Sequence, residues 1–104
     1  MQIQINHGNH VRIAQDTSER LAQSIEESLV QYKNQVTRIE VHLADQNGSK
    51  HGEADKRCTL EARLDHLQPV AVSHEAPSIK LAIDGALKKL DSALSHTIGK
   101  RRTF

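Results

Sequence analysis

The sequence predicts an α+β fold in which four strands and two helices follow one another in the order β-α-β-β-β-α. Four short segments alternate apolar and polar residues, as half-buried strands do, and two longer segments repeat apolar residues at helical spacing. The 104 residues are enough for one domain. Because every element is apolar on one side, we expect a four-stranded mixed sheet with two helices on one face and water on the other.

The first three predicted elements are a strand, a helix and a second strand. Met1–Asn6 alternates apolar and polar residues, and Val36–Ala44 does the same. Between them we expect a helix from Asp16 to Asn34, with Asp16 and Glu19 at the spacing of a capping box. Its apolar stripe consists of Leu21, Ile25, Leu29 and Tyr32. Since a β-α-β crossover is right-handed, the two strands that it joins should be parallel.

The second half of the chain is predicted to contain two strands and a long helix. Arg57–Asp65 alternates, and Val70–Ser73 forms a shorter strand after it. Strands this close in sequence should be antiparallel. We expect the helix to begin at Pro77 or Ser78 and to end at Gly99, since proline suits a first helical position and glycine a helix end. Its apolar stripe consists of Ile79, Ala82, Ile83, Ala86, Leu87, Leu90, Ala93 and Leu94.

Charge is distributed unevenly, although a net charge of +1 excludes a polycation that binds every polyanion. Residues 1–78 contain 8 Lys/Arg and 11 Asp/Glu, whereas residues 79–104 contain 6 and 2. The basic segment has two interpretations, contact with RNA phosphates or a solvated helix with cations near its C-terminus. Asp84 and Asp91 stand at helical spacing from lysines, which favours the second. The cations concerned are Lys80, Lys88, Lys89, Lys100, Arg101 and Arg102.

The outward side of the predicted sheet is a second polar surface. Alternation places several polar and basic residues there, with Glu40 and Glu61 among them. Two interpretations stay open, which are simple solvation and a weak contact surface for RNA. The residues concerned are Gln2, Gln4, Arg38, His42, Arg57, Thr59 and Arg63.

The residue inventory excludes several classes of function. Tyr32 and Phe104 are the only aromatic residues, too few for modules that stack bases on several rings. Cys58 lies on the inward side of its strand and is predicted to be a small buried residue rather than a nucleophile. The seven histidines are scattered along the chain, so no metal site is expected. Without an acid–base pair or a phosphate-binding loop, we expect no catalytic residue, no cofactor and no small-molecule substrate.

The sequence lacks the signals of secreted and membrane proteins. The first residues show no cationic segment followed by an apolar one, so no signal peptide is expected. No apolar run approaches the roughly 18 residues that a membrane span needs. We therefore expect a cytoplasmic protein without a membrane partner.

Three segments resemble a known family. Ile5–Ile13 resembles the opening strand and Gly-His-His-Val turn of the ribosome hibernation promoting factors and ribosome-associated inhibitor A proteins. Val36–Leu43 is similar to the second strand of that family. Leu81–Asp91 is similar to its Ala-Ile-Asp…Lys-Leu helix. The likeness covers about residues 1–98 and includes the order of the elements.

The resemblance implies a fold similar to double-stranded-RNA-binding domains. It also implies binding to the small ribosomal subunit and its rRNA, in the cleft between head and body. There the domain would cover the mRNA channel and tRNA sites and block translation under stress, in slow or stationary growth. A ribosome modulation factor is a further partner that the resemblance implies. Residues 1–98 would be the ribosome-binding domain and residues 99–104 a short basic tail, as in a short member of the family.

The resemblance also proposes the contact residues. The first helix of the family carries several cations near its C-terminal end, where this chain has Ser28 and Gln31 and retains Lys33. We therefore expect phosphate contacts from Lys88, Lys89, Lys100, Arg101 and Arg102, with Lys33 and Lys80 as secondary contacts. The alternative function is a protein-interaction or self-association module of the same fold, with weak or lost RNA binding. A contiguous exposed apolar patch would distinguish it.

Overall fold

The computed structural model forms the four strands and two helices in the predicted order, which confirms the α+β class. It describes residues 1–8, 11, 13–45 and 56–102, with side chains as far as residue 99. A short 3-10 helix, Val30–Tyr32, follows the first helix. The elements are β1 (Gln2–His7), α1 (Gln15–Ser28), β2 (Val36–Asp45), β3 (Lys56–Leu64), β4 (Val70–Ala76) and α2 (Ile79–Arg102).

The sheet has the strand order β1-β2-β3-β4, so β1 and β4 are its two edges. As expected, β1 pairs with β2 in parallel, and the other two pairings are antiparallel. The register places Ile5 beside Val41, Val41 beside Leu60, and Leu60 beside Val72. Apolar side chains from all four strands therefore share one face of the sheet. The most deeply buried strand residues, each no more than 2% exposed, are Val36, Ile39, Val41, Leu43, Cys58, Leu60 and Ala62.

Both helices cover this apolar face and run in the same direction. α1 packs against β1, while α2 packs against β3 and β4. Because β1 and β4 end on the same side of the sheet, α1 and α2 both begin there. The buried stripe of α2 consists of Ala82, Ile83, Ala86, Leu90, Leu94 and Ile98. Among the described elements, no helix is long and apolar enough to cross a membrane.

The two helices begin differently. α2 begins at Ile79, one residue after the predicted start at Pro77 or Ser78, and Ser78 Oγ accepts a hydrogen bond from the backbone N–H of Leu81 at 3.2 Å. The expected capping box of α1 is wrong, because α1 begins one residue earlier and Ala14 occupies the cap position without a side-chain bond. Asp16 instead lies in the first turn, where a carboxylate interacts favourably with the helix dipole. It accepts a hydrogen bond from the backbone N–H of Thr17 at 2.9 Å.

Three element ends differ from the predicted ones by more than one residue. α1 ends at Ser28, because the 3-10 helix takes over the last turn of the predicted helix. β4 continues beyond Ser73 to Ala76, since α2 packs on this strand. α2 passes through Gly99 to Arg102, so the predicted helix end at Gly99 is wrong. A helical glycine costs about 1 kcal/mol, which does not stop a helix that still buries Ile98.

A polar contact joins the end of α1 to the middle of α2. The hydroxyl of Tyr32, a residue only 7% exposed, donates to Asp91 Oδ1 at 2.7 Å. The amide of Gln31 donates to the same oxygen at 3.0 Å. Burial, followed by the hydrogen bond and charge of Asp91, raises the pKa of Tyr32 above its usual value of 10.0. Asp91 thus fixes the two helices to each other and forms none of the expected lysine pairs among the described residues.

Close packing joins α2 to the edge strand β4. Gly85 lies in the middle of α2, and the imidazole of His74 occupies the space that a Cβ on Gly85 would need. His74 is half-buried and lies on the inward side of β4. A helical glycine is therefore required here for packing, despite its poor helix propensity.

We predict that Gly85→Ala has opposite effects in two backgrounds. In the native chain the added methyl overlaps His74, and overpacking of about 1–3 kcal/mol exceeds the helix-propensity gain of about 1 kcal/mol. In a His74→Ala background the overlap disappears and the same substitution stabilises the fold. Urea unfolding followed by circular dichroism measures both free energies of unfolding. Equal effects in the two backgrounds would contradict the packing that we describe.

We predict that the ionisation of Tyr32 is displaced upward in the folded protein. Tyr32 is the only tyrosine, so the ultraviolet absorbance of its phenolate reports one group. The midpoint should lie above 10.0 in the native protein, near 10 in urea, and lower in Asp91→Asn than in the native chain. Because folding raises this pKa, the stabilisation is complete below pH 10 and is lost as the pH rises through the native midpoint. Identical midpoints in folded and unfolded protein would refute the contact.

Candidate nucleic-acid interface

The predicted phosphate-binding cations of α2 lie outside its buried stripe. Lys80, Lys88 and Lys89 are all exposed. Successive helical residues are about 100° apart, so Lys88 and Lys89 point in different directions around the helix. Lys88 makes no hydrogen bond or ion pair with any residue that the structure describes. Of the three α2 lysines whose side chains are described, Lys88 is the one whose ammonium group is fully available to an external anion.

Lys80 has an acidic neighbour one turn along the helix. Its Nζ lies 3.5 Å from Asp84 Oδ2, and both side chains are well exposed. This pair confirms the expected interaction of Asp84 with a lysine at helical spacing. Exposed pairs of this kind contribute about 0.3–0.5 kcal/mol, so a phosphate could replace the carboxylate at little cost.

Lys89 reaches the edge of the sheet. Its Nζ donates a hydrogen bond of 2.8 Å to the backbone carbonyl of Ser73 in β4. Edge strands carry unpaired backbone groups that invite pairing with other chains, and a lysine at the edge discourages such pairing. Lys89 therefore has a structural contact in addition to its predicted role. The sequence did not indicate this contact, because no local spacing relates position 89 to position 73.

The remaining predicted cations are at the two ends of the domain. Lys33 is exposed in the turn after the 3-10 helix and has no ion-pair partner within the described segments. Lys100, Arg101 and Arg102 belong to the last turn of α2, and their side chains lie outside the described part of the structure. The phosphate contacts of all seven cations stay predictions. What the fold establishes is that six of them are carried by one helix.

The two helices carry opposite charge. The acids of α1 are Asp16, Glu19, Glu26 and Glu27, and Arg20 is the single cation of this helix. Arg20 Nη2 lies 3.9 Å from Asp16 Oδ2, so part of its charge is neutralised. α2 carries six cations and two acids along its 24 residues. An RNA phosphate would be repelled from α1 and attracted to α2, since exposed charges act over about 8–10 Å at physiological salt.

On the outward face of the sheet, Glu40 and Glu61 form ion pairs with most of the expected cations. Glu40 Oε2 lies 3.4 Å from Arg63 Nε and 3.5 Å from Arg38 Nε, and Glu40 Oε1 lies 3.6 Å from His42 Nε2. Arg63 also contacts Glu61 at 3.2 Å. Arg38 donates from Nη2 to Gln4 as well. This network of side-chain pairs supports the solvation interpretation for the centre of the face.

Arg57 differs from the other arginines of the sheet. Its Nε donates to Ser73 Oγ at 2.8 Å, and Thr59 Oγ1 lies 3.2 Å from the same hydroxyl. No described carboxylate forms an ion pair with Arg57. Glu75 stands opposite Arg57 in the register of β3 and β4, yet the guanidinium turns toward Ser73. Within the described part of the structure, one positive charge on this face therefore has no neutralising partner.

The described residues show no arrangement that resembles a catalytic or metal centre. No group of three or more His, Cys, Asp or Glu side chains converges among the described residues. Cys58 is fully buried, as predicted, and burial raises the pKa of its thiol to about 12. The thiolate needed for nucleophilic attack is thus scarce at neutral pH.

An apolar groove lies between the first turns of the two helices. Its walls include Ile13, Leu21 and Ile79, all half-buried. The ion pair of Lys56 and Asp45, with Nζ and Oδ2 3.3 Å apart, borders the groove. Thr17 and Lys80 add polar side chains to the described part of its lining.

Fold and charge together define a one-sided α+β domain with one acidic and one basic helix. A sequence profile of the sigma 54 modulation protein / S30EA ribosomal protein family matches residues 3–102, and the chain belongs to this family. The resemblance to ribosome hibernation proteins is thereby confirmed. Membership supports association with the ribosome. A comparison with curated protein sequences gives no match.

Solved structures share the fold. The N-terminal domain of Thermus thermophilus Protein Y superimposes with a TM-score of 0.72 at 20% sequence identity, over 93% of this chain and 99% of that one. A ribosomal subunit interface protein from Coxiella burnetii gives a TM-score of 0.69 at 19% identity, over 95% of this chain and 99% of that one. At these identities the comparison establishes the architecture.

We predict that Cys58 is inert in the folded protein. A thiol reagent such as dithiobis-nitrobenzoate should modify it at pH 8 only as fast as the protein opens, because the thiol is buried and its pKa is about 12. Labelling should become rapid in urea, where the usual thiol pKa returns. The control is the same reaction with free cysteine at each urea concentration. Rapid stoichiometric labelling of the native protein would show that Cys58 is accessible.

Proposed function

We propose that this protein binds the small ribosomal subunit through α2 and sterically blocks the path of mRNA and tRNA. The observation that carries the proposal is the concentration of six cations on one exposed helix of a domain that belongs to an S30EA family. Proteins named for the ribosomal subunit interface share its fold. The partner is the rRNA of the small subunit, and the protein acts in the cytoplasm as a non-enzymatic regulator of translation.

The mechanism follows from charge and shape. Lys88 supplies an unpaired ammonium, and Lys80 can exchange its weak pair with Asp84 for a phosphate. Cations at Lys100–Arg102 would extend the row of phosphate contacts along the same helix. The acidic α1 limits the orientations in which the domain can approach RNA, because its carboxylates are repelled by phosphates. Bound in this way, a rigid domain excludes other ligands from the volume that it occupies.

The aromatic content of the domain is consistent with binding to folded RNA rather than to single strands. The domain has two aromatic residues, and Tyr32 is buried between the helices, where it cannot stack on a base. Recognition would therefore depend on the phosphate positions of folded RNA rather than on exposed bases. The proposed likeness to double-stranded-RNA-binding domains rests on this argument and on the sheet with helices on one face.

The alternative, a protein-interaction module without RNA binding, has less support. Among the described residues, the exposed large apolar side chains are Val30 and Leu81. Val30 follows the end of α1 and Leu81 lies at the start of α2, at opposite ends of helices that run in the same direction. Two separated side chains do not form the contiguous patch that a stable protein interface needs.

We expect the protein to sediment with small ribosomal subunits at low salt and to dissociate as salt rises. Lys88→Gln should weaken binding and make the dependence of log K on log salt shallower by about 1. Arg20→Gln is the matched control, because it removes one exposed cation from the acidic α1. Gradient sedimentation across a salt series measures both. Lack of any salt-sensitive association, or equal effects of the two variants, would overturn the proposal.

A triple variant tests the end of α2. Replacing Lys100, Arg101 and Arg102 by Gln should reduce the salt slope by more than Lys88→Gln alone, because three phosphate contacts are removed instead of one. Inhibition of translation of a defined mRNA should decline in parallel with subunit binding. Inhibition that persists after binding is lost would contradict a steric mechanism.

A further inference from the structure

The edge of β4 brings two cations together from opposite sides of the sheet. Arg57 approaches from the outward face and donates to Ser73 Oγ at 2.8 Å. Lys89 approaches from α2, on the covered face, and donates to the carbonyl oxygen of the same residue at 2.8 Å. The two side chains border one shallow cleft together with Ser73, His74 and Glu75.

Both cations keep most of their hydrogen-bonding capacity. A guanidinium has five N–H donors, and Arg57 uses the one on Nε for Ser73. An ammonium has three, and Lys89 uses one for the Ser73 carbonyl. The acceptors they contact are neutral oxygens, and no carboxylate among the described residues forms an ion pair with either cation. In contrast, Arg63 on the same face of β3 is paired with both Glu40 and Glu61.

We propose that Arg57 and Lys89 form a phosphate-binding subsite at the edge of β4. Guanidinium forks and ammonium groups are the side chains that recognise phosphate oxygens most strongly. Ser73 holds both cations in place, so less side-chain entropy is lost when an anion binds. The assignment of this phosphate to an RNA backbone rests on the function proposed above. The existence of the subsite does not depend on that function.

The subsite extends the RNA footprint around the sheet edge. α2 lies on the covered face of the sheet, yet Arg57 projects from the outward face, so a backbone held by α2 and Arg57 would cross β4. Glu75 is the acidic neighbour, opposite Arg57 in the strand register. Its carboxylate opposes the entry of an anion and should limit the affinity of the subsite.

The first test uses inorganic pyrophosphate and the full chain. In a nuclear magnetic resonance titration, the Nε–H signal of Arg57 and the side-chain signals of Lys89 should shift with one common midpoint. The Nε–H signal of Arg63 should not shift during the titration. Arg57→Gln should weaken pyrophosphate binding by about fivefold or more, and Glu75→Gln should strengthen it. Equal shifts of Arg57 and Arg63, or no change in Glu75→Gln, would overturn the subsite.

The second test uses small ribosomal subunits. Arg57→Gln should make the salt dependence of binding shallower by about 1, and Arg63→Gln, its matched control, should leave it unchanged. If the native chain does not bind subunits but Arg57 still responds to pyrophosphate, the proposed function fails and the phosphate subsite stands. If the native chain binds subunits and the two arginine variants behave alike in both tests, the function stands and the subsite is overturned.

Discussion

The sheet can be covered on one side only, and the rest of the structure depends on this constraint. Along β2 and β3, residues such as Val41 and Leu60 are completely buried, while their neighbours Glu40 and Glu61 point the other way. Burying one such apolar face requires both helices on the same side, at about 25 cal/mol for each Å² of apolar surface removed from water. A one-residue slip in register would exchange the two faces, so the alternation also fixes the pairing of the strands.

The one-sided cover determines where charge can be used. The open face must be polar, and there the charges of Arg38 and Arg63 are balanced by those of Glu40 and Glu61. α2 lies on the covered face over β3 and the edge strand β4, and its Lys89 reaches Ser73 at that edge. Charge that is not cancelled therefore accumulates along α2 and at this edge. The net charge of the whole chain is small because the acidic and basic regions offset each other.

Local patterns predicted the fold well, because each depends on residues close in sequence. The alternation around Leu60 and the helical stripe through Leu90 predict burial correctly, and the Lys80–Asp84 pair follows from one helical turn. The contacts that sequence could not predict join distant positions. Asp91 meets Tyr32 rather than a lysine because α1 and α2 lie side by side, and Gly85 makes room for His74. The same limit applies to the candidate site, where the contacts of Lys89 and Arg57 with Ser73 could not be predicted.

The continuation of α2 beyond Gly99 changes how the last cations of the chain are presented. A flexible tail would have to be ordered at each encounter with a partner, at a cost of about 1–2 kcal/mol for each residue. A helix fixes its backbone once, when the protein folds, and spaces its residues about 1.5 Å apart along a straight axis. Lys88 and Arg102 are thereby set about 21 Å apart along the helix axis, a fixed separation that only certain spacings of phosphate groups would match in the proposed interface.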